Sequence, residues 1–322
     1  MAAKTIADYV LPFLDYCEIE KGLSNNTQRN YRQYLKIFIA WLKKTHNQDL
    51  SPDRLTAKHV WDYRLYLARE HKTPLGGYLG KKSQNYYLIA VRALLAYFAD
   101  RDIPSLPSSK IKLAKQKTEE NISFMDIAEV ERILKIPDTS KTDGLRDRAI
   151  METFFSSGMR ISELVALNVD NVSFITNKKA SNSTFEISII GKGKRVRTVF
   201  ISPRVADWTR AYLAARGPDE YKPLFINSRT RNPDSKRLSP RYIQMTIAKC
   251  ARLAGLSKKI TPHTLRHTYA TDLLSHGADL RSVQELLGHR NVATTQVYTH
   301  VTNKRLREIH EKFHGGKDID NE

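Results

Sequence analysis

Residues 262–271, PHTLRHTYAT, place His263, Arg266 and His267 within little more than one helical turn. Thr261 before them suits a helix N-cap, and Pro262 suits the first helical position, where its missing N–H leaves no bond unmade. His263 and Arg266 then fall at i and i+3, on one face of the first turn. A helix N-terminus attracts anions through its free N–H groups and its dipole. Cationic side chains crowded there are therefore rationalised by an anionic partner. The plainer reading is a surface helix with two exposed polar residues.

Other stretches carry chemistry-capable residues in similar settings. In SSGMRISELVAL, Arg160 opens a helix just after Gly158, and Glu163 lies at i+3. Glu163 either pairs with Arg160 or orients a neighbour; an ordinary surface pair at this spacing contributes only tenths of a kcal/mol. Lys192 sits in a Gly-Lys-Gly-Lys turn, with Lys194 as a competitor for any role, and a turn lysine is ordinarily solvated. Gly288 reads as a helix stop, and His289 follows it directly. Thr294 or Thr295 opens a further short helix that carries Tyr298. A tyrosine there is ordinarily core. As a nucleophile its hydroxyl, with a reference pKa of about 10, needs activation or a base to take its proton. Each signal alone is weak; the ordered set Arg160, Lys192, His263, Arg266, His289 and Tyr298 is not.

The elements that must hold these residues are legible in outline. Residues 1 to about 112 read as nearly all helix. SNNTQRNYRQYLKIFIAWLKK spaces Tyr31, Tyr34, Leu35, Phe38, Ile39 and Leu42 at helical intervals behind a cap at Ser24 or Asn25. LTAKHVWDYRLYLARE and SQNYYLIAVRALLAYFAD repeat that pattern, which predicts a bundle of about four helices. PSLPSSKIKLAKQKTEE (104–120) breaks it with prolines, serines and lysines and reads as a linker, either solvated or contacting a polyanion. Beyond it, FMDIAEVERILKI and DGLRDRAIMETFFSSGM predict helices, the second ending at Gly158. TFEISIIGKGKRVRTVFIS alternates as two strands of a hairpin, and helices resume from about 203. The fold class expected is mainly α with a small β-sheet.

The bulk composition sets the class of partner. The 322 residues suffice for two domains. Lys and Arg number 53 against 34 Asp and Glu, a net charge of +19. An excess of that size points to a polyanion, nucleic acid before an anionic membrane surface. No apolar run approaches the roughly 18 residues of a membrane span, and MAAKTIADYVLPF lacks the apolar core of a secretory signal. With only Cys17 and Cys250, neither a disulfide framework nor a cysteine zinc site is expected. A reducing, cytoplasmic setting follows as the expectation.

SGMRISELVAL, IGKGKRVRTV, HTLRHTYATDLLSHGADLRSVQELLGH and TTQVYTHV together resemble the tyrosine recombinase (phage integrase) family, and within it the Xer-like site-specific recombinases. GLSNNTQRNYRQYLKIFIAWL and VRALLAYFADRDI resemble the family's core-binding domain, so the likeness spans nearly the whole chain. It implies an N-terminal helical core-binding (SAM-like) domain at 1–112, a linker at 113–121 and a mixed α+β catalytic domain at 122–322. The stretch TNKRLREIHEKFH is similar to the helix that family members dock onto a neighbouring subunit.

By this resemblance Arg160 and Arg266 match the two catalytic arginines, Lys192 the hairpin lysine, His263 the first histidine, His289 the His-or-Trp position and Tyr298 the nucleophile. Glu163 matches a supporting acidic position. SFITNKKASNSTFEIS is longer and more polar than the usual Xer strand region, which keeps Lys194 open beside Lys192. The implied reaction is transesterification at a DNA phosphodiester through a 3′-phosphotyrosine. Strand exchange through a Holliday junction is implied in a tetramer, of one protein or of two paralogues, on an inverted-repeat duplex site. The set lacks metal-binding carboxylates, so no metal or other cofactor is expected. Arg241 and Gln244, on the helix after RLSP, are candidates for reading bases, against a plainer reading as surface residues.

Two other readings stand beside this one. A type IB topoisomerase-like enzyme would use the same nucleophile to relax DNA. A DNA-binding protein that has lost catalysis is disfavoured because all six matched positions are filled. Within the family, mobile-element integration, plasmid resolution and inversion use the same residues as chromosome dimer resolution. The compact length without an added arm-binding domain favours a Xer-like role.

Overall fold

The computed structural model describes residues 4–74, 76–115, 124–173, 175, 184–191, 196–230 and 232–288. The chain divides into two compact units, Met1–Glu119 and Glu120–Glu322.

The first unit is helical: α1 Val10–Ile19, α2 Asn25–Lys44, α3 Ala57–Arg69 and α4 Lys81–Asp100. The Ser24 hydroxyl caps α2 by accepting from the Thr27 N–H, and Lys43 and Lys44 face the negative pole at its other end. One stripe of α2, Leu35, Phe38, Trp41 and Leu42, is buried. Phe38 meets the Tyr63 ring of α3 edge-on at 4.9 Å, a geometry that suits the quadrupoles of two aromatic rings. The stretch from 104, read from the sequence as a linker, belongs to this unit as far as residue 115. Ile111 is 1 % exposed. The buried Asn85 amide donates to the Ala114 carbonyl at 3.0 Å and accepts from its N–H at 3.1 Å. Its composition misleads because one isoleucine and one buried amide suffice to fasten a polar strand of chain.

The second unit holds α5 Ile127–Leu134, α6 Thr142–Ser157 and α7 Ile161–Ala166. The hairpin β1 Phe185–Ile190 and β2 Val196–Ile201 follows, and then α8 Pro203–Arg216, α9 Pro240–Leu253, α10 Pro262–Ser275 and α11 Leu280–Leu287. The strands pair antiparallel, Phe185 opposite Ile201 and Ile190 opposite Val196. Phe185, Ile187 and Ile189 point inward in the alternation expected of a one-sided sheet. Helix α6 runs through the core with Ala149, Ile150, Met151 and Phe154 buried, and it also buries Arg146, Arg148 and Glu152. These charges are matched within hydrogen-bonding distance. Arg146 pairs with Asp143 and Asp147 at 2.9 Å, and Arg148 pairs with Glu152 at 2.7 Å. A smaller cluster of Ala270, Leu274, Val283 and Leu287 packs α11 onto α10. Among the described residues, no helix is long and apolar enough to cross a membrane.

Candidate active site

Two glycines shape the place where the predicted residues meet. Gly158 ends α6 at φ 58° and Gly288 ends α11 at φ 63°, left-handed conformations that favour glycine. Both are also closely approached. A Cβ on Gly158 would lie 2.5 Å from the Tyr269 ring, and one on Gly288 would lie 2.8 Å from Cδ of Arg197.

Arg160 is the N-cap residue of α7. Its backbone N–H donates to Glu163 Oε2 and its Nη1 to Glu163 Oε1, both at 2.8 Å. Its Nη2 reaches across to the Gly288 carbonyl at 2.8 Å. Arg266, in the second turn of α10 behind the Thr261 cap and Pro262, is 5 % exposed. It donates to the Gly158 carbonyl at 2.6 Å and to the Leu287 carbonyl. Arg197, on β2, donates to Glu163 Oε2 at 2.8 Å and to the Leu286 carbonyl. Three arginines from three elements thus take three successive carbonyls, 286, 287 and 288, at the end of α11. The macrodipole and the orphan carbonyls make that end negative.

Glu163, 2 % exposed at its side chain, is the carboxylate that these bonds converge on. Burial acts to raise its pKa, but the hydrogen bonds from Arg197 and Arg160 outweigh it and hold the carboxyl below its ordinary range. Two guanidiniums share this one carboxylate, which leaves an excess of positive charge on the pair. His263 is exposed in the first turn of α10. Its pKa is held below the ordinary histidine value, first by the protein packed around its ring and then by the charges of Arg266 and Arg160. The neutral ring can accept a proton at one nitrogen and donate at the other.

The structure therefore brings Arg160, Glu163, His263 and Arg266 into one electrostatic environment, although they come from distant parts of the sequence. Lys192, Lys194, His289 and Tyr298 lie outside the described residues. Arg241 and Gln244 stand exposed on α9, an element apart from those that carry the arginines. Sequence reasoning passed over Arg197. The signal was present: Arg197 shares the inward phase of β2 with buried Val199 and Ile201, and a cation in that phase calls for a buried partner. Among the described residues, no group of three or more His, Cys, Asp or Glu is placed to hold a metal ion.

Comparison with known proteins identifies the family. Residues 123–305 match the model of the phage integrase family, and residues 10–102 match the phage integrase N-terminal SAM-like domain. The tyrosine recombinase XerD of Lacticaseibacillus casei is 34% identical over 315 residues, spanning 95% of this chain and 98% of that protein. In fold, the chain is similar to the XerH site-specific recombinase bound to its difH substrate, with TM-score 0.66 and 22% identity over 93% of this chain and 83% of that one. It is also similar to the Tn1549 transposon integrase in complex with transposon right-end DNA, with TM-score 0.67 and 17% identity over 96% and 99%. With both domain models matched and full-length relatives above 30% identity, the chain belongs to the phage integrase family and is a tyrosine site-specific recombinase.

Proposed function

We propose that this recombinase cuts and rejoins duplex DNA at an inverted-repeat site, with Tyr298 as the nucleophile. Its phenolic oxygen attacks phosphorus, the 5′ oxygen leaves, and a 3′-phosphotyrosine holds the strand until a 5′ hydroxyl reverses the step. The P–O bond is exchanged rather than hydrolysed, so the reaction needs no external energy source. Negative charge concentrates on the non-bridging oxygens in the transition state. Arg160 and Arg266 supply planar, permanently charged donors for it, and fixed donors of this kind typically contribute about 3–4 kcal/mol each. Neutral His263 takes the tyrosine proton or adds a donor. His289 adds a further hydrogen bond, and Lys192 protonates the leaving 5′ oxygen. The residues assigned to the reaction need no metal ion or other cofactor.

The observation that carries this reading is the convergence of Arg160 and Arg266 on the ends of α11 and α6, with the Glu163 carboxylate shared between the Arg160 and Arg197 guanidiniums. An excess of fixed positive charge of this kind attracts an anion. The DNA-bound states of XerH and of the Tn1549 integrase support duplex DNA as the partner. The first unit would then grip the duplex while the second performs the chemistry, the two joined by the remainder of the stretch at 113–121. Two sites would be paired in a tetramer, of one protein or with a paralogue, and strands exchanged through a Holliday junction in the cytoplasm. Because phosphate contacts dominate, affinity should fall steeply with salt.

Covalent capture tests the reading. The protein is mixed with fragmented host genomic DNA without divalent metal, quenched in SDS, and the protein-linked DNA is sequenced beside a Tyr298→Phe control. Adducts in the wild type alone, enriched at one inverted repeat, are expected. Adducts without sequence preference would replace the recombinase reaction with topoisomerase-like relaxation, and adducts persisting in Tyr298→Phe would remove the nucleophile.

A further inference from the structure

Arg197 has no role in the chemistry described above, yet it is the residue that joins its parts. Its Nη2 bonds Glu163 Oε2 at 2.8 Å, its Nη1 bonds the Leu286 carbonyl, and its aliphatic stem crosses Gly288 so closely that a Cβ there would meet Cδ at 2.8 Å and Nε at 3.1 Å. Its side chain is 13 % exposed. Its Nε–H is buried with no partner among the described residues. A buried donor left unmade is destabilising and calls for an explanation. The strand would accept an aliphatic residue here, since the neighbouring inward positions are Val199 and Ile201, and buried ion pairs are often replaceable by apolar residues without loss of stability. Stability alone therefore does not account for an arginine at this position.

Glu163 explains it. One of its oxygens holds the Arg160 guanidinium, and the other is shared between the Arg160 backbone and Arg197. Arg160 in turn holds the Gly288 carbonyl, two residues beyond the carbonyl that Arg197 holds. The two arginines and the carboxylate form a closed loop of bonds across α7, β2 and the end of α11. We propose that Arg197 is a positioning residue for strand cleavage. It fixes the Glu163 carboxylate, and through it the Arg160 guanidinium, relative to the stop of α11 from which the chain continues to His289 and Tyr298. This rests on the recombinase chemistry proposed above, because a positioning role needs a reaction to serve.

The test uses the full-length chain and a nicked duplex carrying the inverted repeat recovered by covalent capture. Wild type, Arg197→Met, Arg197→Lys, Glu163→Gln and the double variant Arg197→Met/Glu163→Gln are compared by Kd for the duplex and by single-turnover adduct formation. Arg197→Met should bind within about threefold of wild type and form adduct about tenfold or more slowly, a split that marks a loss felt in the transition state. Arg197→Lys should recover part of the rate. The double variant should be no slower than Glu163→Gln alone, because residues acting through one chain of bonds are not additive. Wild-type cleavage by Arg197→Met would overturn the proposal, as would losses that multiply in the double variant. Binding, thermal midpoint and cleavage falling together in both Met and Lys variants would make the residue structural and overturn it as well. Failure of the underlying chemistry shows separately, as a wild type that forms no Tyr298-dependent adduct, and the positioning role then falls with it.

Discussion

Two groups of arginines in the second unit are built in opposite ways. Around α6, Arg146, Arg148 and Arg204 meet Asp143, Asp147, Glu152 and Glu131. Three guanidiniums face four carboxylates, and nothing in that arrangement invites a further anion. At the end of α11, Arg160 and Arg197 share the Glu163 carboxylate, and Arg160, Arg197 and Arg266 each also donate to a backbone carbonyl there. Carbonyls satisfy hydrogen-bonding geometry without cancelling charge. The first group is balanced within the fold, whereas the second, by the function proposed above, holds positive charge for the scissile phosphate. Each group contains at least one deeply buried arginine, Arg146 in the first and Arg266 in the second; the balance of charge separates them.

Substitutions sharpen that contrast. Arg146→Ala breaks a buried pair and leaves Asp147 without its cation, a change that typically costs about 3–5 kcal/mol. Chemical denaturation should show that loss, while adduct formation per folded molecule stays near wild type. Arg266→Ala should slow adduct formation by about 10²–10³-fold, the usual result of removing one fixed donor from a developing oxyanion, in a single-turnover assay with bound duplex. Gly288→Ala and Gly217→Ala can be compared, since both positions have positive φ but of the two only Gly288 is crowded, by Arg197. The left-handed conformation of Gly288 (φ 63°, ψ 46°) should cost its alanine variant about 1–2 kcal/mol in thermal unfolding. Gly217 (φ 74°, ψ 176°) lies in a region essentially confined to glycine, and its alanine variant should lose about 1–3 kcal/mol. Only Gly288→Ala should also slow cleavage.

The mildest effect concerns pH. The pKa of His263 is depressed by its surroundings and by Arg266 and Arg160, so the neutral ring persists as pH falls to the ordinary histidine range near 6.5. A folded value below the unfolded one gives stability that is present above the unfolded pKa and is lost as pH falls through the folded one. Adduct formation should likewise hold level down to about pH 6.5 and decline only below it. A pH–rate profile of wild type beside His263→Gln, which should lack that limb, checks this.

Much of this organisation was legible in the sequence, because local rules wrote it. The Ser24 and Thr261 caps, the Gly158 and Gly288 stops and the alternation of β1 all behave as residue type and spacing dictate. What escaped was non-local. In α6, Arg146, Arg148 and Glu152 look like a solvated face, but besides their pairs within the helix they reach the Ile226 and Leu134 carbonyls and Arg204 on other elements. The stretch around Ile111 and Ala114 has linker composition, yet Asn85 fastens it. Arg197 stood in plain view on β2, but its partners lie 34 and 89 residues away, and no spacing rule connects them. Arg160 and Arg266, to which the proposed reaction assigns the phosphate, are legible by type, whereas the carbonyls they hold are not.

The claim that the unbalanced guanidiniums serve the charge of the scissile phosphate is tested most directly by removing that charge from the DNA. Single-turnover cleavage by wild type and Arg266→Ala is measured on a nicked duplex with an ordinary scissile phosphate and on one with a neutral methylphosphonate there. The loss caused by Arg266→Ala should be large on the phosphate and should shrink to a few-fold, about 1 kcal/mol or less in activation free energy, on the methylphosphonate. An equal loss on both substrates would contradict the account and make Arg266 a brace for the Gly158 and Leu287 carbonyls.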